Sequence, residues 1–219
     1  NEIEIKQGIA QELSVNEKKK TEKFAVTRYF VQKSEFDKWV VHKNISNHWF
    51  LGVRDVTGAT NEKTCIAAIL PFLGIANIIN LIVTENIIDA CLIFANLNTI
   101  ICDFISRKKV GGQHLTIAIL KQMPIISFKI IKQNSKMSIP VQDNTLAKVV
   151  ELTYTAWDLE PFAQDILKEI SEETWNRWFP HNPLINGKPQ PFIWNDEWRA
   201  ILRAELDAIY AELYGLSRE

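Results

Sequence analysis

The sequence predicts an α+β fold: a mixed, largely antiparallel sheet with packed helices, followed by a helical C-terminal region. Three observations predict it. Runs of β-branched and aromatic residues bounded by turn residues occupy much of 24–83. The apolar period lengthens to that of a helix between Glu85 and Lys109. The last third carries helical patterns with their own caps. The chain divides into a polar leading segment over 1–23, an α/β core over 24–140 and a helical region over 141–219. A length of 219 residues suits one domain with a helical appendage, on a prior of roughly 150 residues per domain.

Phe24 to Val31 reads as a strand, and Ser34 to Lys38 as a helix start or turn before apolar Trp39-Val40-Val41. His48 to Val56 alternates and runs into a polar turn, Thr57 to Glu62. Thr64 to Leu70 is the expected hairpin partner, and Ile78 to Val83 a further strand. Glu85 to Lys109 reads as one buried helix, with Thr84 as N-cap, Arg107, Lys108 and Lys109 in the last turn, and Gly111-Gly112 as a left-handed stop. A short helix follows from Thr116 to Gln122, closed by Pro124, and Ile125 to Ile131 returns to the sheet. Leu146 to Trp157 and Pro161 to Ile170 look helical. The Trp- and Pro-rich stretch 171–194 reads as a long irregular connection. Asn195 or Asp196 then caps an amphipathic helix with Leu202, Leu206, Ile209, Tyr210 and Leu213 on one face. Arg203 and Asp207 stand at paired i,i+4 positions, and Gly215 ends the helix.

Composition excludes several classes. Hydrophobic residues make up 47% and charged residues 23%, the profile of a chain with a sizeable core. Lys and Arg number 25 against 26 Asp and Glu, so the net charge of −1 rules out coating a polyanion through bulk positive charge. Any anion site must be a local patch. Cys65, Cys91 and Cys102 sit in apolar runs without metal spacing, which points to buried thiols in a reducing cytoplasm. Thr64 to Thr84 carries one uncharged run long enough to raise a membrane span. Its interior Pro71, Gly74, Asn77 and Asn80 favour two buried strands instead. The chain opens on polar residues with no secretory signal and no initiating Met, and it reads as a piece of something longer.

The chemistry-bearing motifs are mostly absent. The glycines never form a G-x-G turn of the kind that lets backbone approach a nucleotide cofactor. The nearest approach to a polar-Pro-Pro-aromatic loop, which would hold a target amine, is Asn182-Pro183-Leu184. Glu4-Ile5-Lys6 and Glu17-Lys18-Lys19 match half of a metal-nuclease pattern, a coincidence of short strings. His42, His48, His114 and His181 are scattered, and no residue is nominated as catalytic or as a metal ligand.

Several strings in order carry a resemblance. Gly52 to Thr57, Thr60 to Thr64 and Ile66 to Pro71 come first, then Ala95 to Thr99, Asp103, Arg107, Gly111 to Leu115 and Leu120 to Pro124. Glu151 to Leu159, Arg203 to Tyr210 and Leu213 to Leu216 complete the series. Together they resemble the C-terminal target-recognition region of prokaryotic adenine-specific DNA methyltransferases, including the fused type IIG restriction–modification enzymes of phage defence. Residues 175–191 lie outside the likeness. The resemblance implies a fold similar to type I specificity domains and a non-catalytic module that reads double-stranded DNA. It also implies that methyl transfer from S-adenosylmethionine belongs to a catalytic domain of the same parent chain.

On that reading the DNA-binding candidates are Arg54, Thr57, Thr60, Asn61 and Lys63 after the strand, and Arg107, Lys108, Lys109, Gln113, His114 and Thr116 around the double glycine. Arg can pair bidentately with guanine and Asn with adenine, while basic residues and helix-start amides hold phosphates. Each has a plainer role: an Arg54–Asp55 surface pair, a polar hairpin, or cations serving a helix end. The Lys18, Lys19, Lys20, Lys23 and Arg28 run reads as a solvated segment. Trp175, Trp178, Phe179, Phe192, Trp194 and Trp198 read as loop anchors ahead of base-stacking faces, and Asn98 and Asp103 as helix-packing residues. A protein-docking or structural module without DNA readout is the alternative function, and a self-sufficient nuclease or methylase a weaker third.

Overall fold

The computed structural model describes residues 13–24, 30–133 and 140–216. The core of the predicted first strand, residues 25–29 with Arg28, and the Glu4-Ile5-Lys6 string lie outside the described residues. A short helix, α1 (Val15–Lys18), opens on a capping box in which Ser14 and Glu17 satisfy each other's amides. Helix α2 (Lys33–His42) follows.

Three strands make one antiparallel sheet, β1 (Trp49–Arg54), β2 (Ala67–Pro71) and β3 (Ile79–Ile82), in the order β2-β1-β3. The uncharged 64–84 run is therefore two strands flanking β1, with Leu51 facing Ile69 on one side and Ile82 on the other. Strand period explains the rest. Trp49, Leu51 and Val53 point into the core, while Phe50, Gly52 and Arg54 take the other face. Phe36 and Trp39 of α2, with Phe72, pack edge-on or stacked against Phe50 there, at ring separations of 5.3 to 6.4 Å. Gly52 is the close approach: a Cβ would meet Ile79 Cγ2 at 2.6 Å and Leu70 Cδ1 at 2.7 Å.

The single long helix expected over 85–109 is two, α3 (Ile87–Leu97) and α4 (Ile100–Lys109), bent by 67°. Asn86 rather than Thr84 caps α3, and Thr99 caps α4 with its hydroxyl on the Cys102 amide. Apolar residues continue past the break, although Ile100 and Phe104 of α4 are exposed, and the Thr99 cap in the middle carries no hydrophobic signal. Gly111 and Gly112 supply no left-handed stop either. Helix α4 ends at extended Val110, and the positive-φ glycines among the described residues are Gly187 and Gly215.

Helix α5 (Ile117–Leu120) is capped by Thr116. The expected strand over 125–131 is instead a loop and helix α6 (Phe128–Gln133), a short apolar run whose period cannot separate the two states. Helices α7 (Val141–Thr153) and α8 (Glu160–Glu169) follow, joined through a 3-10 turn at Trp157–Leu159. The 171–194 stretch holds a helix, α9 (Glu172–Trp178), started by Ser171. Its Trp175 interlocks edge to face with Phe179, and Phe179 with Phe192, each pair at 4.9 Å, and the three rings anchor the loop. Helix α10 (Asp196–Leu213) begins at Asn195 and ends at Gly215, where Leu216 N–H returns to Ala211 O and Gly215 N–H to Glu212 O.

One core joins these parts. Helix α3 lies between the sheet and α7, and α10 closes over α7. Leu51, Cys91, Leu146, Phe162, Leu206 and Tyr210 belong to the same buried cluster, so the 24–140 and 141–219 regions share their interior. Among the described residues no single helix is long and apolar enough to cross a membrane.

Candidate nucleic-acid interface

The two candidate segments meet at the end of β1. After Arg54 the chain pairs with 113–115: Thr57 N–H donates to Gln113 O at 2.9 Å, Leu115 N–H donates to Asp55 O at 2.7 Å, and Val56 bridges to His114. Between them lies a polar cleft of about 380 Å³, walled by Arg54 and Val56–Asn61 on one side and Val110–Gln113 on the other. Arg54, Thr57, Thr60, Asn61 and Gln113 line it; Lys63, Arg107, Lys108, Lys109, His114 and Thr116 do not.

Each candidate has a distinct place. Arg54 is exposed at the strand's end and forms no ion pair among the described residues. The expected alternative partner, Asp55, turns to His114 Nδ1 at 2.7 Å and sits near the Asn80 amide. Thr57 is buried, and its hydroxyl accepts from Asn61 Nδ2 at 3.4 Å, which shapes the turn. Thr60 and Asn61 are exposed at the rim.

Arg107 is spent inside the molecule. Its Nε donates to Asp103 Oδ2 at 2.7 Å, and its terminal nitrogens donate to the carbonyls of Ala59 (2.9 Å) and Glu62. Lys63 Nζ likewise donates to Asn98 O at 3.0 Å. Lys108 lies over the Phe104 ring, and Lys109 reaches Gln122 Oε1 at 3.2 Å; both are exposed. Thr116 is occupied by its cap, accepting from Ile119 N–H.

Two residues read only as packing groups build this end of the fold. Asp103 Oδ1 accepts the amides of Thr64 (2.7 Å) and Cys65 (3.0 Å) while Oδ2 takes Arg107. Burial pushes the Asp103 carboxyl up, but Arg107 and the Cys65 and Thr64 amides outweigh it and hold it below its ordinary value. Asn98 acts as a substitute strand at the open side of β2, taking Ala67 N–H at 3.3 Å and donating to Ala67 O at 3.1 Å. The i,i+4 spacing of Asp103 and Arg107 was a visible signal; the reach of Asn98 had none in the sequence.

Cys65, Cys91 and Cys102 are buried free thiols. Burial pushes each upward, Cys65 to about 12, far from the reactive thiolate range. Among the described residues no cluster of three His, Cys, Asp or Glu could hold a metal ion. Comparison with family models, with curated proteins and with solved structures returned no match.

Proposed function

We propose that the chain is a non-catalytic DNA target-recognition domain of a larger restriction–modification or DNA adenine-N6 methyltransferase protein, with a fold of the type I specificity kind. The observation that carries this reading is the convergence of the 54–61 turn and the 110–113 segment on one polar cleft, lined by the Arg54 guanidinium, which forms no ion pair among the described residues. Arg54 and Asn61 offer planar hydrogen-bonding groups that match base edges. Lys108 and Lys109, exposed on the last turn of α4, serve as phosphate contacts. Arg107, Asp103 and Lys63 are then positioning residues that hold the reading loop rigid, and preorganisation of that kind reduces the entropy lost on binding. The catalytic domain of the same parent chain is the partner that binds S-adenosylmethionine and flips the adenine, in a reducing cytoplasm.

Fluorescence anisotropy of the chain with duplex DNA over a salt series tests the reading. Salt-dependent binding that weakens in Arg54→Ala supports it. Duplex affinity absent at low salt sinks it.

A second reading, a protein-docking module, has its own observation. An apolar hollow of about 360 Å³ lies between α2 and the 73–76 turn, lined by Phe36, Trp39, Leu73 and Ile75, and beside it Phe30 is 88% exposed. Loss of partner-domain binding in Trp39→Asp with DNA affinity intact would favour that role.

A further inference from the structure

A different cavity concentrates more positive charge than the cleft. It has a volume of about 230 Å³ and lies between α10, the end of α3 and the start of β2. Arg199, Arg203 and Asp207 line it from successive turns of α10, and Lys63 enters from the loop before β2; Phe94, Ala95 and Leu206 make an apolar floor.

The nearby acids accept hydrogen bonds from, or pair with, other groups, and of them Asp196 still attracts Arg199 through space. Asp207, at i,i+4 from Arg203, was the expected partner; its Oδ1 instead accepts the Ile100 amide at 2.7 Å, at the start of α4. Asp196 accepts from Trp194 Nε1 at 2.7 Å, Glu151 accepts from Trp198 Nε1, and Glu205 pairs with Lys148 at 2.9 Å. Among the described residues Lys63, Arg199 and Arg203 form no ion pair. The residues lining the cavity carry three cations against one carboxylate, Asp207.

The geometry is prepared rather than loose. Arg199 stacks on the Trp194 ring at 3.6 Å and donates to Leu152 O at 2.8 Å, which fixes its guanidinium. Lys63 is held by Asn98 O and keeps further protons to donate. Arg203 is exposed and has no hydrogen-bond partner for its head among the described residues. Burial, with the neighbouring charge of Arg203, pulls Arg199 down to about 10 despite the opposing attraction of Asp196.

We propose that this cavity is a binding site for a phosphoryl group, clamped by Arg199, Arg203 and Lys63. Guanidinium forks match phosphate oxygens in pairs, and the apolar floor strengthens the attraction by limiting solvent. A free phosphate monoester and a phosphate of a DNA backbone share this chemistry. The site does not rest on DNA readout, since the first source satisfies it alone.

The test titrates the chain with inorganic phosphate, at an ionic strength held constant with chloride, and follows the arginine Nε–Hε NMR signals. Saturable shifts of the Arg199 and Arg203 signals are expected. Arg203→Gln, on the exposed side of α10, should weaken phosphate binding about tenfold. Arg203→Lys, which keeps the charge and loses the fork, should recover part of the loss, and Lys188→Gln on the 179–194 loop should leave binding unchanged. Melting curves beside each titration show that the variants are folded. Shifts that never saturate, or an equal response in Arg203→Gln, overturn the site. A second arm replaces phosphate by a short duplex. If phosphate competes with the duplex, and Arg203→Gln makes the log–log salt slope shallower by about one, the group bound is a backbone phosphate. If phosphate saturates the site without displacing DNA, or when the duplex does not bind, the site serves a free phosphate ester.

Discussion

Arg107 and Asp103 form an ion pair one turn apart on α4, Nε to Oδ2 at 2.7 Å, and the pair fastens the 58–65 loop at both ends. Asp103 holds the amides of Thr64 and Cys65, and Arg107 holds the carbonyls of Ala59 and Glu62. The wall of the candidate cleft is thus set from behind by two charged residues that never enter it. Removing Asp103 leaves two buried amides without acceptors. Asp103→Ala should cost about 2–4 kcal/mol and Arg107→Ala about 1–2, read by denaturant melts. Equal stability of Asp103→Ala and the parent chain would contradict the loop-holding role.

The same pair gives an acid limb. The folded Asp103 carboxyl lies below its ordinary value, so its contribution is complete above the unfolded aspartate pKa of about 3.9 and fades as pH falls through the lower folded value. Melting temperature should therefore drop more steeply below that pH in the parent chain than in Asp103→Asn. Parallel curves for the two proteins would remove Asp103 from the acid response.

Arg54 should separate base reading from folding. It carries no ion pair among the described residues, so Arg54→Ala should leave the melting temperature nearly unchanged. In a selection from randomised duplexes it should cost about 1–3 kcal/mol at one base pair and spare the others. Uniform weakening across all sequences would make it a phosphate contact, and an unchanged preference would take it out of the recognition set.

Lys108 and Lys109 are expected to act through phosphates alone. With a net charge of −1 there is little long-range steering, and a handful of contacts predicts a log–log salt slope of about −2 to −4. The double change to Ala should make the slope shallower while sequence preference holds. An unaltered slope would assign both cations to the C-terminal end of α4.

Gly52 is a packing requirement of the sheet. Its missing Cβ leaves room for Ile79 and Leu70, which approach the ideal Cβ position to 2.6 and 2.7 Å. Gly52→Ala should destabilise the chain by about 1–3 kcal/mol through displacement of both side chains. A Gly52→Ala, Leu70→Ala double variant that recovered nothing would place the strain on Ile79 or the backbone.

Local patterns settled much of the architecture. Alternation placed β1, and the polar turn after it with the apolar runs that follow placed β2 and β3 within a few residues; the Asn195 cap with the Gly215 stop placed α10, because strand runs and helix ends are encoded by near neighbours. The cleft was partly legible for the same reason: turn residues after a strand and polar residues after a helix are visible as such. What those side chains touch was decided only by the tertiary fold. Arg107 looked like a phosphate contact until the 58–65 loop came within reach of its guanidinium. Arg203 looked paired with Asp207 until the bend between α3 and α4 brought the Ile100 amide to that carboxylate. Hydrogen bonds between residues far apart in sequence leave no periodic trace, so the partner of a charged side chain is set by the packing that brings the segments together.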